Sequence, residues 1–79
     1  MKLNIYSLKG VEFAGDVAGV NVKTAAGEIT VLDNHLPLIS VLEKGKLNII
    51  KNSGAREEKQ INSGFLEMDD KNNLKLLVD

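Results

Sequence analysis

The sequence is 79 residues long, with 43% apolar and 27% charged residues, a formal net charge of −1 and no cysteine. We expect one domain, residues 1–79, without disulfides or a thiolate metal site. This composition is that of an ordinary globular domain and argues against a disordered tail or a membrane-spanning chain. With no basic excess and three aromatic residues, the chain offers no evident surface for nucleic acid.

Apolar and polar residues alternate in short runs from the first residues onward. Alternation with a period of two is typical of a β-strand with one buried face. Leu77 interrupts the last of these runs. In chain order, the alternating apolar residues are Leu3 and Ile5, Val20 and Val22, Ile29 and Val31, Leu47 and Ile49, and Leu74, Leu76 and Val78.

Turn-forming residues separate the runs at intervals of about ten residues, as in sandwiches and barrels. The sequence therefore predicts an all-β fold, a small antiparallel β-sandwich of about eight to ten short strands. The turn signals are Lys9-Gly10, Ala14-Gly15-Asp16, Ala26-Gly27, Asp33-Asn34, Lys44-Gly45, Asn52-Ser53-Gly54 and Asp70-Lys71-Asn72-Asn73.

The alternation slips at two places. Between Val17 and Val20 a β-bulge would return both valines to the inner face. Between Ile5 and Tyr6 we expect the first strand to end or bend. Phe65 lies in an apolar run, and we expect it to fill the core.

Two segments are compatible with either a helix or a strand. In residues 36–42, Pro37 and the β-branched Ile39 and Val41 favour an extended strand. Residues 55–60 are too few for a stable helix, so we interpret them as the polar start of a strand that continues through Ile61. The charges of residues 51–59 are expected to lie on an exposed hairpin.

No grouping of residues indicates catalysis, a metal or a cofactor. His35 is the only histidine, and no second ligand or nucleophile lies near it in sequence. The glycines form no phosphate-binding pattern. Lys71 lies in a turn that resembles the modified turn of lipoyl carrier domains, although it is much closer to the last residue of the chain.

Taken as a series, the motifs resemble one family, the N-terminal β-sandwich domain of the ε subunit of F-type rotary ATP synthases. They keep the family's order and spacing across the whole chain, with departures at Asp33, Leu36 and Ser63. The matching segments are Met1–Ile5 with Val11–Val17, Ala26–Leu32, Leu32–Ile39, Gly45–Ile49, Ser63–Met68 and Asn73–Asp79.

The resemblance implies a non-catalytic central-stalk subunit without cofactors, which links the γ subunit to the c-ring and couples proton flow to ATP synthesis. It implies a c-ring contact at Ala25, Ala26, Gly27 and Glu28, and γ contacts at Ser7 and His35. The expected location is the cytoplasmic face of a bacterial inner membrane, held there peripherally. Many family members continue into two C-terminal helices, which are absent from these 79 residues. Two explanations stay open, a naturally short member and a chain that has been cut.

Two other functions remain open at this point. One is a lipoyl-like carrier modified on Lys71. The other is a β-sandwich adaptor unrelated to ATP synthases. Co-purification with γ would favour the stalk subunit, whereas an added mass on Lys71 would favour the carrier.

Overall fold

The computed structural model describes residues 1–79, which form nine β-strands and no helix. The all-β prediction is therefore confirmed, and the number of strands lies within the expected range. The strands are β1 (Lys2–Ser7), β2 (Gly10–Asp16), β3 (Gly19–Thr24), β4 (Gly27–Leu32), β5 (Leu38–Leu42), β6 (Gly45–Ile50), β7 (Arg56–Ile61), β8 (Gly64–Met68) and β9 (Asn73–Val78).

The strands form two layers. We call β2-β1-β9-β8-β5 the larger sheet and β4-β3-β6-β7 the smaller sheet. The two sheets join at one corner, where Thr24 of β3 pairs with Leu42 of β5. This gives a curled sandwich in which hydrogen bonding continues from one layer to the other.

One strand pair departs from the antiparallel pattern. The first strand, β1, lies parallel to the last strand, β9, with Leu3 beside Leu74 and Ile5 beside Leu76. A parallel pair needs a long crossover connection, which here is nearly the whole chain. Local patterning carries no signal for such a pairing.

The core consists of fifteen buried apolar residues, and the alternating residues identified in the sequence supply most of them. Val17 and Val20 are both buried, as expected. No bulge turns them inward, however, because β2 ends at Asp16 and β3 begins at Gly19. The slip falls in the link between two strands, so the expected bulge at this place was wrong.

Other local predictions are confirmed in part. The first strand does not end at the slip after Ile5 but continues to Ser7, and its pairing with β2 shifts register between Ile5 and Tyr6. Residues 38–42 are extended, and β7 covers 56–61. In the hairpin between β6 and β7, Lys51 and Lys59 form ion pairs of 3.2 and 3.5 Å with Glu57.

Candidate functional site

The outer face of the larger sheet carries a row of apolar residues that crosses all five strands. Val41 pairs with Phe65 and Phe65 with Leu77. Leu77 pairs in turn with Tyr6, and Tyr6 with Val11. Adjacent strands lie about 4.8 Å apart, so these five residues, here called the apolar row, span about 19 Å.

No other part of the chain covers the apolar row. Val11, Phe65 and Leu77 are 63%, 56% and 51% exposed. Ile39, which precedes Val41 by two residues and faces the same side, is 76% exposed. A groove of about 240 Å³ lies against Ile39, Phe65 and Leu77. Contiguous exposed apolar surface of this kind marks an interaction site.

Polar side chains border the apolar row on the same face. Glu67 and Lys75 pair across β8 and β9, with 3.8 Å between the carboxylate and ammonium groups. Asn4 of β1 lies beside Lys75. An apolar centre with a polar rim is the usual composition of a protein–protein interface.

The outer face of the smaller sheet has a different character. The side-chain amide of Asn21 donates hydrogen bonds to the Thr30 hydroxyl at 2.9 Å and to the Glu28 carboxylate at 3.3 Å. Lys46 and Glu58 form an exposed ion pair of 3.8 Å on the same face. Because this face is largely polar, the apolar row distinguishes one side of the molecule as the side for docking.

The expected burial of Phe65 was wrong. Phe65 points outward, whereas its neighbour Leu66 is fully buried. Adjacent strand residues face opposite sides, so only one of two consecutive apolar residues can enter the core. The signal that could have identified the site is the consecutive apolar pair itself, because both faces of such a strand are apolar.

The four residues predicted at the c-ring form one exposed turn and its continuation into β4. The Thr24 hydroxyl donates to the carbonyl oxygen of Gly27 at 2.7 Å and accepts from the amide of Ala26 at 3.1 Å. Gly27 has a φ of 121°, which side chains rarely permit. The turn therefore presents Ala25, Ala26 and Glu28 to solvent in a fixed shape.

The two predicted γ contacts lie at opposite ends of the sandwich. Ser7 ends β1 on the side of the Ala25–Glu28 turn, as the paired positions across the larger sheet show. His35 is exposed in the loop between β4 and β5, next to Asn34. The amide of Asn34 donates to the Asn72 side chain at 2.7 Å, at the end where β1 begins. One partner could touch both residues only by lying along the length of the strands.

A polar cluster holds the His35 loop in place. The Met1 amino group donates to the Asp33 carboxylate and, at 3.0 Å, to the carbonyl oxygen of Val17. The Asn72 side-chain amide also donates to Asp33, at 2.8 Å. These bonds, the amino-group bond first, hold the pKa of Asp33 below its usual value. The sequence identified Asp33 as a turn residue and as a departure from the family, but not as the centre of this cluster, because its partners are distant in sequence.

The turn that contains Lys71 is explained by backbone hydrogen bonding. The Asp69 carboxylate accepts from the amides of Lys71 at 2.8 Å and Asn73 at 2.9 Å. The bond from Asn73 is the largest cause that lowers the pKa of Asp69. The chain brings no three His, Asp or Glu side chains together in a metal-binding arrangement. It also has no helix long and apolar enough to cross a membrane.

The fold and the apolar row define a small β-sandwich domain with one exposed apolar face, as is typical of domains that dock onto other proteins. The model of the family described as ATP synthase, Delta/Epsilon chain, beta-sandwich domain matches residues 1–79. The chain belongs to this family, which confirms the resemblance found in the sequence motifs. Because the match includes Lys71 and its turn, the lipoyl-like alternative loses its support.

Several bacterial relatives carry the name ATP synthase epsilon chain. That of Wolinella succinogenes is 38% identical over 69 residues, which are 87% of this chain and 53% of the relative. That of Sulfurovum is 39% identical over 70 residues, 89% of this chain and 55% of the relative. The chain thus spans about half the length of the curated relatives it matches.

Two solved structures share the fold at low sequence identity. A chain of the Euglena gracilis mitochondrial ATP synthase aligns with a TM-score of 0.90 and 22% identity, over 96% of this chain and 48% of that one. A chain of the Tetrahymena thermophila mitochondrial ATP synthase, from its central stalk and c-ring, aligns with a TM-score of 0.82 and 19% identity, over 99% of this chain and 62% of that one.

Proposed function

We propose that this chain is a non-catalytic central-stalk subunit of a proton-translocating F-type ATP synthase. In this role it links the γ subunit to the c-ring and couples proton flow to ATP synthesis. Family membership over the full 79 residues and relatives named ATP synthase epsilon chain support the proposal.

The observation that carries the proposal is the apolar row. A subunit that turns with its partner needs a permanent contact, and permanent interfaces are apolar at their centre. The row and Ile39 provide such a centre, bordered by the Glu67–Lys75 pair. The γ subunit is the proposed occupant of this face, and it reaches Ser7 at one end and His35 at the other.

The Ala25–Glu28 turn is the proposed c-ring contact. Its shape is fixed by the Thr24 hydroxyl, and its side chains are exposed. A rigid contact suits this role because torque is lost in a flexible loop. The Glu28 carboxylate supplies a charge at the tip of this surface, where a cationic loop could form a charge-assisted hydrogen bond.

The proposed location follows from these partners. The chain is held at the membrane sector by the complex, without inserting into the bilayer itself. Relatives from Wolinella and Sulfurovum support a bacterial complex. Within it, the proposed place of the chain is the cytoplasmic face of the inner membrane.

Co-expression with the γ subunit and c-ring of the same organism tests the proposal. The wild-type chain should co-purify with both. Leu77→Glu places a charge in the centre of the apolar row and should abolish capture by γ, whereas Lys46→Ala, on the polar outer face of the smaller sheet, should not. Equal capture of Leu77→Glu and wild type would show that γ does not use this face, and no capture of wild type would overturn the proposed function.

A further inference from the structure

Three strands pair with only one neighbour, namely β2, β4 and β7. Such edge strands expose unpaired backbone groups that can bind a further strand, and most proteins protect them. In β2, the register shift leaves Glu12 without a paired residue and disrupts the edge. In β7, four consecutive charged residues, Arg56–Lys59, provide the protection.

The third edge, β4, has no such protection. Its six residues pair with β3 without any register shift, from Gly27 opposite Thr24 to Leu32 opposite Gly19. It contains no lysine, arginine or proline, and Glu28 is its only charge. A regular, β-prone strand with one free side is well suited to accept another strand.

The register identifies the backbone groups that are free. The Asp33 amide donates to the Ala18 carbonyl oxygen, so Ala18 and Asp33 form a hydrogen-bonded pair. The next pair along the ladder, Gly19 and Leu32, is therefore a non-hydrogen-bonded pair. Hydrogen bonding alternates along an antiparallel ladder. Gly27, Ile29 and Val31 therefore bond to β3, and the backbone groups of Glu28 and Thr30 point to the free side. The Leu32 amide points the same way, whereas the Leu32 carbonyl oxygen already accepts from the His35 amide at 3.1 Å.

The side chains of the same three residues are exposed on the outer face of the smaller sheet. Leu32 is 54% exposed, and Glu28 and Thr30 are also open to solvent. An added strand would thus find free backbone groups together with accessible side chains, with no element of the chain to displace.

We propose that an extended segment of the γ subunit adds to the free edge of β4 and hydrogen-bonds to the backbone of Glu28 and Thr30 and to the amide of Leu32. This rests on the proposed function, since it specifies how the partner is held. β4 runs from the Ala25–Glu28 turn to the loop of His35, so a strand along it continues the proposed interface between those two contacts.

Charge complementarity argues against a second copy of this chain as the occupant. Parallel pairing of two β4 strands in register would place Glu28 against Glu28. Antiparallel pairing about Thr30 would place Glu28 against Leu32. Because β4 has no cation, no self-pairing neutralises Glu28. The occupant is a segment of different sequence, with no acidic residue opposite Glu28 and an apolar residue opposite Leu32.

Amide hydrogen exchange, resolved by residue, tests this inference in the full chain with and without purified γ subunit. In the free chain, the amides of Ile29 and Val31 should be protected, and those of Glu28, Thr30 and Leu32 should exchange rapidly. Binding of γ should slow the latter three at least about tenfold, the change that accompanies a stable new hydrogen bond.

The outcomes separate this inference from the proposed function. Binding of γ without protection of these three amides would overturn strand addition and leave the stalk role standing. Absence of binding would overturn both. Protection that depends on the concentration of the free chain, without γ, would show that the occupant is a second copy and would also overturn the inference.

Proline at position 30 provides an independent test. Thr30→Pro removes a donor that points away from β3 and blocks strand addition, a substitution that edge strands tolerate on their free side. Thr30→Ala is the matched control, because it loses the hydroxyl and keeps the amide. We expect Thr30→Pro to weaken γ binding at least about tenfold and Thr30→Ala less than about threefold, and equal affinities would count against strand addition.

Discussion

At the scale of single residues, Asp33 joins three segments that are far apart in sequence. Its carboxylate binds the Met1 amino group and the Asn72 side chain, so it connects the first residue, the His35 loop and the turn before β9. These bonds favour the ionised form, and a pKa lowered in the folded state stabilises the fold at pH values above the unfolded-state pKa.

The pH dependence of unfolding tests this role. The pKa values of Asp33, Glu57 and Asp69 each lie below the ordinary value for that type of residue, which is about 4. Stability should therefore be lost as the pH falls from about 5 through the folded-state values. Asp33→Asn should lower the melting temperature at pH 7. It should also reduce the stability lost on acidification, so that only the contribution of Glu57 and Asp69 remains.

Asp70→Asn is the control for Asp33→Asn, because it changes an exposed carboxylate in the adjacent turn. Thermal unfolding of both variants and wild type between pH 7 and pH 3 provides the measurement. Indistinguishable curves for Asp33→Asn and Asp70→Asn would mean that the Asp33 cluster does not stabilise the fold.

Glu28 is expected to act through its surface charge. Its one side-chain hydrogen bond, 3.3 Å from Asn21, is exposed, so Glu28→Lys should change the free energy of unfolding by less than about 0.5 kcal/mol. Reversing the charge at the proposed c-ring contact should reduce proton pumping by reassembled complexes, more at low than at high salt. Normal pumping at every salt concentration would remove Glu28 from that interface.

At the scale of single elements, β8 shows how two adjacent residues can have opposite roles. Leu66→Ala creates a cavity in the core and should cost about 2–5 kcal/mol. Phe65→Ala truncates an outward side chain and should cost less than about 1 kcal/mol. Chemical denaturation checks the pair, and a loss of several kcal/mol for Phe65→Ala would show that Phe65 supports the fold and not docking alone.

Gly64 begins β8 at a place where two backbones approach closely. A Cβ at this position would overlap the carbonyl oxygen of Leu77, whereas one at Gly15 in β2 would make only ordinary contact with the Phe13 ring at 3.7 Å. Gly64→Ala should therefore destabilise the domain by about 1–3 kcal/mol, and Gly15→Ala should be nearly neutral. Equal melting temperatures of the two variants would contradict this account of the β8–β9 contact.

Particular residues show how far the sequence predicts these elements. The alternation around Leu3, Val20 and Leu47 correctly assigns strands and inward faces, because burial of one face imposes a period of two. The same rule fails at Phe65, where two adjacent residues are apolar and the period does not say which one enters the core. The interruption at Leu77 was visible in the sequence, but its neighbours in the apolar row come from pairing across five strands.

At the scale of the whole molecule, pairing between distant strands could not be predicted, because local alternation does not say which strands lie side by side. The parallel contact of β1 with β9 and the joining of the sheets through Thr24 and Leu42 connect residues far apart in the chain. Motif resemblance predicted the family and the fold. It did not predict that Ser7 lies at the same end of the strands as the Ala25–Glu28 turn while His35 lies at the opposite end.

The two outer faces of the sandwich suit a part of a rotor. The face with the apolar row can be buried permanently against one partner, and the largely polar face of the smaller sheet can remain in water. Hydrogen bonding that continues between the sheets gives the domain the stiffness needed to transmit torque, since a close-packed β core deforms little under load.

Calorimetric titration of the γ subunit tests the central claim, that the apolar row is the docking face, most directly. We compare the wild-type chain, the double variant Phe65→Ser with Leu77→Ser, and the polar-face variant Lys46→Ala, each first shown to be folded. The account predicts that the double variant binds at least about 100-fold more weakly, as expected for loss of two central apolar contacts, and that Lys46→Ala binds like wild type. Wild-type affinity in the double variant, together with loss of binding in Lys46→Ala, would contradict the account and place γ on the opposite face.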